Sequence, residues 1–308
     1  MSFFALKQKE NTTMDGVQVD TFGLRINQAV CFTTHDNKAH KGTTNRQLKV
    51  LRDLAPTLKQ VLKPDEEIWL AVRASSPMSW FEQLVTGWII YYLKRCVLVF
   101  TNKRILHLPT KMNFKPKASV AQILYGDIAE ATASGFFGRA LRLKYKTGKK
   151  EDFNYVEAAD FKKLKALLPT LPRDGQLSEV SERHHLCPRC QTRLVAGKYS
   201  CPSCRLQFKD GERAIKLSIL YPGGGYFYTR HPWLGFADAL TEAFLLIIVI
   251  AGLIEALSGE GESEAWVSVF VFGAALIIEK AQTIYHAKHY VNEYIPEDEK
   301  FVPLTAPA

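Results

Sequence analysis

Cys187 and Cys190 form one Cys-x-x-Cys pair, and Cys201 and Cys204 form a second ten residues further on. Two residues between thiols let a tight turn aim both sulfurs at one point, and two such turns supply four soft ligands in a tetrahedron. A site closed by four thiolates has no place for water, so its metal would stabilise a fold rather than activate a nucleophile. Rival readings are a redox dithiol pair or an iron centre; the doubled spacing favours structural zinc. His184 and His185 abut the first ligand, but the quartet is complete without them, and they are read as surface residues. Cys31 and Cys96 are left unpaired, Cys96 inside an apolar strand pattern where a thiol acts as a small hydrophobe.

Other chemistry is sparse. Gly223-Gly-Gly225 lacks the Lys and Ser/Thr of a nucleotide loop, and no serine or cysteine stands beside a paired base. The reading is therefore non-enzymatic. Asp238 and Glu242, one helical turn apart in an apolar stretch, can share a face, and intramembrane carboxylates are functional suspects. Their place near the hydrated end of that stretch argues against transport or proton relay. His286 and His289, at i and i+3, read as the wet end of a helix, and His35 and His40 as isolated surface histidines.

The elements that must hold these residues fall into blocks. Residues 1–48 are polar and turn-rich and read as a loosely ordered extension with room for one short hairpin. Residues 50–170 alternate between strands and helices. Leu51–Leu62 reads as a short amphipathic helix, Ile68–Ala74, Cys96–Thr101 and Ile105–Leu108 as strands, and Ala140–Tyr155 as a hairpin turning at Thr147-Gly148. In Leu141-Arg-Leu-Lys-Tyr-Lys146 apolar and basic residues alternate, so one face packs and the other is wet and positive. Val156–Leu168 closes the block as a helix. Several strands followed by one amphipathic helix predict a small curved sheet or barrel plugged by that helix.

The run Val97-Leu-Val-Phe-Thr-Asn-Lys-Arg-Ile-Leu106, then Ile123-Leu-Tyr-Gly-Asp-Ile128, then the hairpin and helix, resembles the bacterial PH-like (GRAM-like) domains over about residues 60–168. The resemblance implies a non-enzymatic module tied to membranes, with lipid or protein as ligand. One departure is the aromatic stretch 80–93, in which Phe81, Leu84, Val85, Trp88, Ile89 and Tyr92 can form one helical stripe, flanked by Lys94-Arg95. Fourteen residues are too few to span a bilayer, which needs about 20. Trp80 and Trp88 with flanking cations suit a membrane interface, and packing on the sheet is the alternative. Residues 171–186 read as an exposed linker. Residues 185–210 resemble the zinc ribbons, and the ribbon itself is taken as 187–210.

Residues 213–290 are the membrane region. Segment 215–228 is too short to span and is broken by Pro222 and the glycines, whereas 234–257 and 265–285 are long and apolar enough to cross, joined by the acidic turn 258–264. The element Pro222-Gly-Gly-Gly-Tyr-Phe-Tyr228 ahead of a helical pair resembles bacterial membrane families with a Pro-Gly-x-Gly-x-x-Tyr element. Residues 291–308 form a tail.

Charge divides along the same line. Residues 1–216 carry 36 Lys/Arg against 20 Asp/Glu, or +16, and residues 217–308 carry 4 against 11, or −7. No cleavable signal is read at the N-terminus. Arg213, Lys216 and Arg230 precede the hairpin and Lys280 and Lys288 lie at its end, so the positive-inside rule places the soluble parts at the cytoplasmic face of an inner, multi-pass membrane protein. The expected fold class is thus a multidomain membrane protein: a β-rich PH-like barrel or sheet with a C-terminal helix, a small zinc ribbon and an α-helical transmembrane hairpin. Its expected partners are the membrane and either anionic lipid headgroups or an acidic protein, met by Arg142, Lys144, Lys146, Lys149 and Lys150 with Trp80 and Trp88. Zinc is the expected structural cofactor. The ribbon's basic and aromatic set is too thin to predict nucleic-acid binding; a ribbon that reads nucleic acid or protein, or a transporter component, are the alternative functions, and self-association is left open.

Overall fold

The computed structural model describes residues 13–14, 17–19, 22–135, 138–258 and 263–298. The predicted acidic turn falls largely on residues 259–262, which lie outside these, as do 1–12 of the N-terminal extension and 299–308 of the tail. The chain divides into two compact units, the first running to Leu194 and taking in Pro202–Cys204, the second Val195–Cys201 and the chain from Arg205.

In the first unit, strands β1 (Thr13–Met14), β2 (Val17–Val19) and β3 (Arg25–Ile26) lead to a short helix α1 (Gln28–Cys31) and a long one, α2 (Lys41–Val61). Strand β4 (Ile68–Ser75) is followed by α3 (Trp80–Thr86), α4 (Ile90–Leu93), β5 (Arg95–Thr101), β6 (Arg104–Pro109) and β7 (Val120–Leu124). Then come β8 (Ile128–Ser134), β9 (Ala140–Tyr145), β10 (Lys150–Phe153), helix α5 (Ala158–Leu167) and β11 (His184–Leu186). One sheet has the order β1-β2-β3-β4-β5-β6-β7-β11 and the other β10-β9-β8; every pairing is antiparallel except β3 with β4.

Period-two alternation decides what each face covers. Leu98 and Phe100 of β5 join Leu70, Ile105 and Ile123 in a core shared with Leu141, Leu143 and Phe153 of the small sheet and Leu164 and Leu167 of α5. Val97 and Val99 point the other way, with Ala71, Leu106 and Leu108, onto Leu51, Leu54, Leu58 and Val61 of α2. A strand buried on both faces reads as a continuous apolar run, which is why Cys96-Val-Leu-Val-Phe lacks polar alternation. Three layers result: α2, the large sheet, and the small sheet with α5.

The layer formed by α2 corrects the N-terminal boundary. The helix runs 21 residues from Lys41, not from Leu51, because Thr43, Gln47 and Val50 continue its buried face into the polar text, and His40 caps it by accepting from Thr43 N. The buried Gln47 amide donates to Ala71 O at 2.9 Å and accepts from Ala71 N at 3.1 Å, satisfying a β4 peptide that β3 pairs only at Ile26. Arg46 pairs with Asp160 of α5 at 2.7 Å.

The predicted exposed linker is corrected at its far end, residues 172, 174–177 and 179 being exposed. Ser178 N donates to Asp127 Oδ1 at 2.8 Å, Arg183 pairs with the buried Glu151 at 2.9 Å, and His184–Leu186 adds as β11 to the β7 edge. The chain passes so close that a Cβ on Gly126 would sit 2.4 Å from Gly175 O. Leaving β7 bare would expose a row of unpaired peptide groups, and β11 covers it.

Between Glu151 and Ser76 lies His107, fully enclosed, with Ser76 Oγ 2.8 Å from Nε2 and Arg183 Nη1 3.5 Å from Nδ1. Arg183 can only donate, so Nδ1 accepts and the ring is neutral with its proton on Nε2. Burial first, then the Arg183 charge, pushes its pKa well below the ordinary 6.5. As pH falls below that value, the unfolded chain takes up a proton that the folded one refuses, so stability drops with acidification. Between pH 7.5 and 5.5 this one group should cost about 1 kcal/mol. Denaturant midpoints of His107→Gln should fall less over that interval than those of the parent; equal slopes would remove His107 from the account.

In the second unit, α6 (Gly211–Leu220), α7 (Gly224–Tyr228), α8 (Pro232–Leu257) and α9 (Ser263–Val291) pack together. Asp210 caps α6 through Arg213 N at 2.8 Å. Gly223 turns the chain from α6 into α7 with φ +68°, and a Cβ there would lie 2.1 Å from Gly235 O of α8, so no side chain fits at that approach. Helices α8 and α9, of 26 and 29 residues, are each long and apolar enough to cross a membrane. The second outruns its predicted end at 285 by six residues.

Candidate functional site

The four cysteines come together as the spacing required. One sulfur from each lies within 4.8 Å of every other, and Cys187 Sγ is 3.5 Å from Cys204 Sγ without a disulfide. Four thiolates about 2.3 Å from one tetrahedral metal lie roughly 3.8 Å apart, so the donor set fits a metal ion. The two turns are built alike. Cys187 N donates to Thr192 O and Gln191 N to Cys187 O; in the second turn Cys201 N donates to Leu206 O and Arg205 N to Cys201 O. Gln191 and Arg205, each following a second cysteine, take φ of +59° and +58°. That left-handed residue turns each chain segment back behind its sulfurs. Burial pushes the Cys187 thiol up, so a thiolate there calls for a cation beside it.

Neither neighbouring histidine is a surface residue. His184 is buried and its Nε2 lies 2.8 Å from Gln122 Nε2, and burial pushes His185 down to about 3. Strand β11 carries both into the sheet, which the sequence around them did not signal.

The hairpin cations lie on the exposed face of the small sheet, as the alternation predicted, but in mixed company. The register places Glu130 beside Lys144 and Lys144 beside Lys150, and Thr132 beside Arg142 and Arg142 beside Asp152. Arg142 pairs with Asp152 at 3.5 Å and Lys149 with Glu182 at 2.6 Å. Lys146 is exposed. Cross-strand acids thus break the uniform positive face expected from β9 alone.

The aromatic stretch is the more distinctive surface. Ser79 and Glu82 form a capping box at the start of α3, and Gly87, with φ +63°, stops the helix. The single stripe predicted over 80–93 is therefore broken into α3, a 3-10 turn at Gly87–Ile89, and α4. Below it, Glu82 and Lys94 form a buried ion pair at 2.6 Å, and Ile90 and Leu93 are buried. Above it, Trp80, Leu84 and Trp88 are 74%, 70% and 73% exposed; Met112 of the β6–β7 loop, whose carbonyl accepts from Arg95 Nη1, is 44% exposed. Arg95 lies between the Tyr92 and Phe114 rings, 4.5 and 4.7 Å from their centroids, at a pocket of about 310 Å³ also lined by Trp88, Tyr91 and Tyr155. Among the described residues, none that lines that pocket is acidic. Phe114 sits 21 residues beyond the end of the stretch at Leu93, so no local pattern marks it as a neighbour.

In the helical unit, Asp238 and Glu242 do share a face, and Glu279 of α9 meets them. His286 is buried rather than wet, its Nδ1 2.6 Å from the Tyr226 hydroxyl. Comparison with protein-family models, with curated proteins and with solved structures finds no match for this chain.

Proposed function

We propose that this chain is a membrane-anchored, non-enzymatic binding or scaffold protein of bacterial type. In this reading α8 and α9 cross the inner membrane, the first unit faces the cytoplasm as a PH-like module, and zinc closes the cysteine ribbon that joins the two in sequence. Four antiparallel strands, β4–β7, three more, β8–β10, and the closing helix α5 support the PH-like reading.

The observation that carries the proposal is where large apolar side chains are left bare. On α8, Leu240, Phe244, Ile247 and Ile254 are 62–72% exposed, and on α9 Phe270, Ile277 and Ile278 are 67–71% exposed. Water does not tolerate contiguous apolar surface on that scale, whereas hydrocarbon does. The first unit buries its core but leaves Trp80, Leu84 and Trp88 out, with Arg95 lining one pocket with Trp88 and Phe114, and Lys111 and Lys115 in the loop that carries Phe114. Amphipathic indole rings rimmed by cations suit the headgroup layer of an anionic leaflet. This surface, rather than the Arg142–Lys150 hairpin with its interleaved acids, is the part of the module that meets lipid.

Two measurements test the reading. Full-length protein should sediment with membranes and resist alkaline carbonate, and recovery in the supernatant without detergent would refute the anchor. In nanodiscs containing lipids brominated near the headgroup, parent fluorescence should include a quenched component that shrinks in Trp80→Phe/Trp88→Phe, the remainder coming from Trp233 and Trp266 in the first turns of α8 and α9. An unchanged quenched fraction would mean that the exposed stretch faces a protein partner instead of lipid.

A further inference from the structure

The helical unit contains a set of charges that does not balance. Asp238, Glu242 and Glu279 each present a carboxylate oxygen within 4.8 Å of the other two. One ammonium, Lys280, pairs with Glu242 and also donates to Ser218 O at 2.8 Å. Three carboxylates against one ammonium leave two negative charges among apolar helices, where unpaired charge is strongly disfavoured.

Hydrogen-bond accounting gives the same answer. Thr283 Oγ1 lies 3.0 Å from both Asp238 oxygens and from Glu279 Oε1, yet a hydroxyl has a single proton to donate. Glu242 is only 3% exposed, and its Oε1 is buried without a hydrogen-bond partner. Glu279 Oε2 is buried and unpartnered as well. Such orphaned acceptors need a positive partner that the described residues do not supply.

We propose that Asp238, Glu242 and Glu279 bind one hard divalent cation, with the Thr283 hydroxyl oxygen as a further ligand. A charge of +2 together with Lys280 cancels the three carboxylates. Oxygens 2.0–2.6 Å from one ion lie no more than about 5 Å apart, which matches the observed spacing. An all-oxygen set selects ions of the magnesium, manganese or calcium kind and leaves softer metals to the thiolates. The site is separate from the cysteine ribbon and needs no lipid contact by the first unit.

Manganese is the probe. Full-length protein with its ribbon metal in place, solubilised in detergent, is titrated with Mn²⁺ while paramagnetic resonance reads the free ion. The expected result is one bound Mn²⁺ per chain, at least tenfold weaker binding in Glu242→Gln and in Asp238→Asn/Glu279→Gln, and no change in Cys187→Ser. Near-isosteric amides keep the helices packed, and Mn²⁺ should raise the melting temperature of the parent but not of the amide variants. Absence of bound Mn²⁺ at millimolar concentration, or equal binding by the triple amide variant, overturns the proposal. A protonated-carboxyl infrared band that persists in saturating Mn²⁺ and vanishes in the amide variants also overturns it, assigning protons to the site instead.

Discussion

Purified full-length protein is expected to carry one zinc ion per chain in the ribbon and to lose it when Cys201 and Cys204 are both serine. The ribbon's buried apolar side chains beyond the knuckles are Leu194, Leu206 and Phe208, and the Tyr294 hydroxyl donates to Val195 O and accepts from Gly197 N. Structural zinc contributes an apparent 10–16 kcal/mol in small thiolate modules, roughly the whole stability of an ordinary domain. Removing two of four thiolates should therefore cost several orders of magnitude in metal affinity and open residues 187–208 to protease. Elemental analysis of the parent and the double variant, with limited proteolysis of each, checks both statements. Iron in place of zinc, or a ribbon that stays protease-resistant without metal, would contradict them. Because the ligands must be thiolates, zinc release should grow as pH falls.

A comparably large effect is expected from Arg104→Met. Its guanidinium bonds Glu66 at 2.8 and 2.9 Å and Val61 O at 2.9 Å, and the two side chains are 3% and 0% exposed. Burial alone would raise the Glu66 carboxyl, but the hydrogen bonds and charge of Arg104 outweigh it and hold the pKa below the ordinary 4.5. The pair is thus fully stabilising above the unfolded value and is lost as pH falls through the folded one. Removing only the cation strands a buried carboxylate and should cost about 3–5 kcal/mol, a drop in melting temperature of roughly 10 °C. Adding Glu66→Gln to Arg104→Met should recover much of that loss at neutral pH, since no bare charge remains. If both variants melt together, the cost comes from packing rather than from the stranded charge.

Features that depend on neighbours in the chain were legible in the amino-acid sequence. Two residues between thiols suffice to describe a knuckle, so four cysteines able to hold a metal ion could be named before any fold was known. Alternation along Leu141–Lys146 foretold which side chains of β9 face water, and the apolar length of 234–257 and 265–285 foretold two helices able to cross a bilayer. Each signal is carried by local geometry: a turn, a pleat, a helical rise.

What tertiary structure alone decided is which distant residues meet. Polar text at 41–48 concealed the start of α2, because Gln47 is buried through bonds to a strand 24 residues away. Residues 184–186 looked like linker until β7 offered an open edge. Lys280 counted only as a cation at the end of the hairpin until packing of α9 on α8 brought it and Glu279 to Asp238 and Glu242. Arg95 acquired its aromatic surroundings from a loop beyond the next strand. Periodicity records which face of an element is apolar, but a charge's partner is selected by how the elements pack, and no short-range pattern encodes that choice.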